Sequence, residues 1–448
     1  MGAWSSCPTA ERAASLDIHS RNLLTFLRKR PNLSPMKHFI KLWSLNFWIT
    51  SALVASSFLQ AAGGPASPSD IPSFVVREAS LIQMPGVEVP ERSLLHEADS
   101  NNPLHWDGDT LYLFNNYGHP WRTSGPDIEH LGGRISVRLG ELNDKMPLWI
   151  EATWKDDDGT LFGAYHFEPH TVCFANSHLP TAPRIGWARS RDNGATWEDL
   201  GFIISANPCA IKCDTQSPWD AGGTGDFVFL PDQNKEYFYF FGTSYDSEFA
   251  EQGIFAARMR YADRNSPAGK VMKFHKGGWS EPGTWGHLTP IFPAHRDYHR
   301  KDGTMFWGPA VHWNTYLNIY VMVLNHAIDT KLTNDGIFIT FNHRLDDANG
   351  WTKPQMLLDR QGLLNGTAIG SVSGDGMLVV PQGVYYGELR PSGKGTVIAD
   401  TLSSGWYPQI VGTAKGETDK VCGRTGRIFL TGMSRFEITF SKPGEKAQ

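Results

Sequence analysis

The chain has 448 residues and a formal charge of -5 at pH 7, enough for one large β domain or two medium ones. Aromatic residues make up 12%, and 45 glycines and 28 prolines favour many short strands joined by turns over long helices. A mildly acidic balance with no basic, aromatic-interleaved block leaves no electrostatic footprint for nucleic acid, which is not expected as a partner.

Residues 1–35 read as a leader whose status the sequence leaves open. From Met36 the chain reads "MKHFIKLWSLNFWITSALVASSFLQAAGG". Lys37 and Lys41 make a positive start, Leu42 to Phe58 an apolar run, and Leu59-Gln60-Ala61 a cleavage-like end, so 36–61 is expected to be a signal peptide. The run is short for a membrane span. The mature form is therefore expected to have no stable membrane span and to be secreted or periplasmic; an uncleaved anchor is the alternative. Residues 62–89 read as a linker, 90–440 as the folded domain and 441–448 as a tail.

Past the leader's Cys7, four cysteines are left. A Cys209–Cys213 bridge, a Cys173–Cys422 bridge and free thiols are all compatible with the spacing. No second Cys/His pair stands at zinc-like spacing, so no metal ligand set is assigned.

Beyond Ala62 no long segment keeps a 3.6-residue apolar period. Aromatic strands appear instead, in order "TLYLFNN" (110–116), "TLFGAYHFEP" (160–169), "EYFYFFGTSY" (236–245), "NIYVMVLNHA" (318–327) and "RIFLTGMSRFEITF" (427–440). Each follows a shorter entering segment across a polar turn. Three pairings continue with a further strand, a polar loop and a tryptophan (Trp197, Trp279, Trp351) that introduces an outer strand. A recurring unit of this kind predicts an all-β fold, a β-propeller whose radial packing buries the aromatic strands on both faces.

The turn "WARSRDNGATWEDLG" places Ser190, Asp192, Gly194, Thr196 and Trp197 at the spacing of the Asp-box found in sialidases and other propellers. That resemblance implies a structural turn between a blade's third and fourth strands, so Asp192 is not a catalytic candidate. Over roughly residues 90 to 440, the five pairings resemble the five-bladed propeller glycoside hydrolases, the furanosidase-type group that includes families 43, 32 and 117. A six-bladed sialidase-like propeller is the alternative, although the early Arg-Ile-Pro motif is absent.

The resemblance implies a base or nucleophile Asp, an auxiliary Asp and an acid Glu on the innermost strands of the first three blades. Asp99 is the acid nearest the first such strand, but it stands four residues before Pro103 where the family has Asp directly before Pro. Glu151 lies inside the apolar run "LWIEATW", where carboxylates are seldom left unpaired. Asp226 follows a Gly-rich approach at the head of the third strand, in a place where the family often has Glu. Asp99 is expected as base, Asp226 as acid and Glu151 as an orienting group.

Alternation puts His166 and Glu168 on one face, and with Asn102, Trp307, His312 and Trp406 they are the expected substrate-binding set. The expected activity is hydrolysis of glycosidic bonds in an oligo- or polysaccharide without a cofactor, a structural Ca²⁺ ion being left open. Two other readings stand beside it. A sialidase-like hydrolase or polysaccharide lyase would use Tyr165 and His166, with Arg122, Arg134 or Arg138 neutralising a uronate. A non-catalytic glycan-binding propeller would carry its carboxylates apart or individually salt-bridged.

Overall fold

A computed structural model describes residues 71–85, 98–116, 119–169, 173, 180–359 and 405–445, together with the backbone of four short strands between 371 and 399. The expected leader and signal peptide lie outside the described residues.

The protein is an all-β, five-bladed propeller. Blade 1 comprises Leu104–Asp107, Thr110–Asn116, Pro120–Gly125 and Ile135–Ser136. Blade 2 comprises Leu148–Lys155, Leu161–Phe167, Arg184–Ser190 and Glu198–Ser205. Blade 3 runs through Thr224–Pro231, Tyr237–Ser244 and Gly253–Arg260 to Met272–His275 and Gly278–Pro282. Blade 4 comprises Met305–Asn314, Ile319–Ala327, Asn334–Asn342 and Gln355–Asp359. In blade 5, Gln409–Gly412, Thr425–Leu430 and Met433–Ser441 are completed by Ser73–Gln83 from the start of the domain. Strands Ser371–Val372, Leu378–Val380, Leu389–Ser392 and Thr396–Ala399 form a sheet of their own, inserted in the chain between blades 4 and 5.

Two expectations change. Ser73–Gln83, expected within the linker, is the outer strand of blade 5, with Ser73 paired to Ser441. The run "RIFLTGMSRFEITF" is two strands, not one. It turns at Thr431 and Gly432, whose φ angles of +49° and +83° close a hairpin between Leu430 and Met433.

The apolar core is a ring of seams between neighbouring blades. Phe114 and Leu148 share one seam, Trp187 and Phe229 the next, then Phe241 and Met322, then Val321 and Ile438, and finally Leu113 and Phe429. Each seam holds side chains from two blades, so no blade buries its faces alone.

The 190–197 turn sits on the outer side of blade 2. The Asp192 carboxylate accepts Ser190 Oγ (2.7 Å), Thr196 N (2.9 Å) and Thr196 Oγ1 (2.7 Å). Trp197 is buried against Phe114, at 5.9 Å between ring centroids. Asp192 is thus committed to its turn.

A disulfide joins Cys173 to Cys213, and Cys422 is a free, buried thiol. Both expected bridges are corrected: Cys422 is enclosed in the seam between blades 4 and 5, and Cys213 is taken by Cys173.

Candidate active site

The innermost strands of blades 2, 3 and 4 share a local irregularity. Pairing slips at Glu151 between Ile150 and Ala152, at Asp226 between Gly225 and Val228, and at Gly308 between Trp307 and Ala310. A bulge adds a residue to one strand and re-aims its side chain. Here it breaks the in-out alternation in all three blades. Asp226 has φ +42°, a conformation that costs a non-glycine residue energy and is tolerated where its surroundings force it. Gly225 is needed beside it, because a Cβ there would stand 2.5 Å from the His166 ring.

These residues enclose a cluster of acids around one imidazole. His166 Nδ1 lies 2.9 Å from Glu151 Oε1, and its Nε2 lies 3.3 Å from Glu168 Oε1. The other Glu151 oxygen accepts the Phe227 amide at 2.9 Å, tying blade 2 to blade 3. Glu151 is therefore engaged on both oxygens. Asp226 accepts hydroxyl hydrogen bonds on both of its own oxygens: Tyr245 donates to Oδ2, and Tyr407 to Oδ1 at 3.2 Å. Asn101 crosses from blade 1, donating to the carbonyls of Phe227 (3.2 Å) and Pro309 (3.1 Å).

Electrostatics separate the acids. Burial, reinforced by the charges of Glu168 and Asp226, pushes the Asp99 carboxyl well above the usual carboxylate range. Burial and the Glu151 charge push Asp226 up to about 6. Burial and Glu168 likewise raise Asp220, which accepts Tyr298 Oη at 3.0 Å and Thr181 Oγ1 at 3.2 Å. Burial alone would lower His166, but Glu151 and Glu168 raise it well above its ordinary value. One oxygen each of Glu151 and Asp226 and a nitrogen of His166 lie within 4.8 Å of one another, a spacing that could hold a metal ion. Glu151 and Asp226 also accept hydrogen bonds from the protein's own donors.

The structure thus brings together Asp99, Glu151, Asp226, His166 and Glu168. Three expected ligand-binding residues are taken up by packing or by contacts between blades. Asn102 bolts blade 1 to blade 5, its amide donating to Gln409 Oε1 at 2.8 Å and its carbonyl accepting Gln409 Nε2 at 3.3 Å. Trp307 is fully buried, packed on Trp406 and Tyr407 with its indole N–H on Asn334. His312, farther along the same strand, packs against Phe440, and burial pushes its imidazole down to about 3. Trp406 is half-buried and meets Trp219 edge to face at 6.0 Å.

Sequence reasoning missed Trp219 and Asp220, adjacent in "SPWDAGG", and Tyr245 at the end of its aromatic strand. Trp219 is 47% exposed, and its ring meets Trp406. Of the residues of the lyase reading, His166 stands among the acids, whereas Tyr165, Arg122 and Arg134 are engaged elsewhere. Tyr165 donates to Asp199 at 2.9 Å, Arg122 binds the carbonyls of Asp192 and Asn193, and Arg134 stacks on Trp121.

No protein-family model matches the chain, and no curated protein matches it in sequence. Solved structures similar to it include a native arabinanase from Bacillus subtilis, 12% identical with a TM-score of 0.37, covering 78% of this chain and 96% of that one. A thermostable family-43 glycoside hydrolase is 10% identical with a TM-score of 0.36, over 77% and 88%. An exo-β-1,3-galactanase from Phanerochaete chrysosporium is 10% identical with a TM-score of 0.38, over 67% and 60%. These neighbours are glycoside hydrolases. Likeness at this level concerns the fold, which the strand order above establishes independently.

Proposed function

We propose that the protein is an exported glycoside hydrolase acting on an oligo- or polysaccharide, with Asp226 as base or nucleophile and Asp99 as acid. The contrast between these two carboxyl groups carries the reading. Asp226 accepts from two phenols, the pattern of an ionised, acceptor-only carboxylate. Burial and its acidic neighbours raise the Asp99 carboxyl well above the usual carboxylate range, which favours its protonated form. Hydrolysis of a glycoside needs this division. The Asp99 carboxyl gives its proton to the glycosidic oxygen as the bond to the anomeric carbon breaks, and the Asp226 carboxylate activates water or attacks that carbon. This reverses the roles expected from the sequence. Glu151 and His166 act as anchors that hold Asp226 in place.

Replacing Asp99 with Asn tests the division. Loss of the acid slows cleavage of a natural glycoside by roughly 10²–10⁴-fold, yet spares a dinitrophenyl glycoside whose leaving group needs no proton. Asp226→Asn abolishes both. Equal losses on the two substrates in Asp99→Asn would overturn the assignment. The signal-like segment at 36–61 and the Cys173–Cys213 bond support export to an oxidising compartment, and a mature N-terminus near Ala62 is expected on sequencing the exported protein.

A further inference from the structure

A hollow opens at the opposite end of the propeller from the acids. The inner strands of blades 3 and 4 start at the Asp226 and Trp307 level and run away from it, so the 232–236 turn and the 315–318 turn lie at their far ends. Between the 232–236 turn, Trp313 and Tyr320 of blade 4, and the 343–346 loop is a cavity of about 480 Å³, within the size range of small-ligand sites.

Its walls combine ring faces with forked polar groups. Tyr237 and Trp313 are half-buried and line it. Arg258 lies over Tyr237 at 4.3 Å and over Trp279 at 4.9 Å, so its guanidinium is held in place before any ligand arrives. Asp232 locks the adjoining turn by accepting the amides of Glu236 (2.8 Å) and Tyr237 (3.1 Å). On the opposite wall, exposed Arg344 and Asp346 pair at 2.9 Å. Two guanidinium groups face three carboxylates, those of Asp232, Glu236 and Asp346, a balance that gives no strong pull on either sign of charge.

We propose that this hollow is a second glycan site, which holds one or two residues of an uncharged carbohydrate chain. The aromatic faces suit the apolar C–H faces of pyranose and furanose rings, and the planar guanidinium and carboxylate forks suit vicinal hydroxyls. A nearly neutral lining disfavours a polyanion. The choice of a carbohydrate rests on the hydrolase reading.

Native gels containing graded arabinan, β-1,3-galactan or polygalacturonate test it, with wild type compared against Tyr237→Ala and Arg344→Ala. Aryl glycoside kinetics, which engage only the acids, and a thermal melt are measured in parallel to verify the fold. Retardation of the wild type by a neutral polysaccharide is expected, with roughly tenfold weaker retardation in the variants and unchanged aryl glycoside turnover. Equal retardation of wild type and both variants overturns the site, as does a wild type that no neutral polysaccharide retards, or one retarded most by polygalacturonate. A wild type that is retarded but cleaves nothing would refute the hydrolase reading while leaving the glycan site intact.

Discussion

Tyr407→Phe isolates the link between hydrogen bonding and catalysis. The Tyr407 hydroxyl is 3.2 Å from Asp226 Oδ1, and its ring packs on Trp307 at 5.6 Å and Trp406 at 6.3 Å. Phenylalanine keeps the ring and deletes one donor. A hydrogen bond to a charged group contributes about 1.5–3 kcal/mol, and one pKa unit corresponds to about 1.36 kcal/mol. Loss of the donor destabilises the carboxylate, so the Asp226 pKa rises from about 6 by roughly one to two units. A base works only when ionised. The acid limb of kcat/KM should therefore move from near pH 6 in the wild type to between about pH 7 and 8 in the variant. The measurement is kcat/KM on an aryl glycoside from pH 4 to 9. A limb that stays put, or moves to lower pH, refutes the role given to Asp226.

Glu151→Ala takes the carboxylate away from the His166 ring and the Phe227 amide in a buried site, and unfolding in urea should show a loss of about 3–5 kcal/mol; a loss under about 1 kcal/mol would contradict the anchoring role. Trp219→Ala removes an exposed indole beside Trp406 without opening the core. It should raise KM for oligosaccharides severalfold while leaving a monosaccharide aryl glycoside nearly unchanged, and equal effects on the two substrates would remove Trp219 from the binding surface.

The propeller was legible because strands buried on both sides by neighbouring blades must be apolar and aromatic along their length, as in Tyr237–Ser244. Ser73–Gln83 was not. Only one of its 11 residues is fully buried, and its partner lies at the far end of the chain, so neither periodicity nor a local turn announces it. Asp226 could be found from the glycines that admit it. Asp220 was hidden in that same approach, two residues before the first positive-φ glycine. Glu151 was read as a charge in an apolar run, which the structure explains by two buried hydrogen bonds. Asn102, Trp307 and His312 failed for a shared reason. Their place at or near an inner strand was correct, but the side an aromatic or amide faces depends on the bulge at Gly308 and on contacts with blade 5, and neither leaves a pattern in the residues themselves. Tyr407 is the neighbour of the candidate Trp406, and its hydroxyl is what reaches the acids.

Reducing-end release from neutral polysaccharides and aryl glycosides, followed with ultraviolet absorbance and compared between the purified protein and Asp226→Asn, tests hydrolysis most directly. Sugar release by the wild type, its loss in a folded variant and the absence of an unsaturated product are expected. Undiminished release by the variant would remove Asp226 from the reaction, and an ultraviolet-absorbing product would contradict hydrolysis altogether.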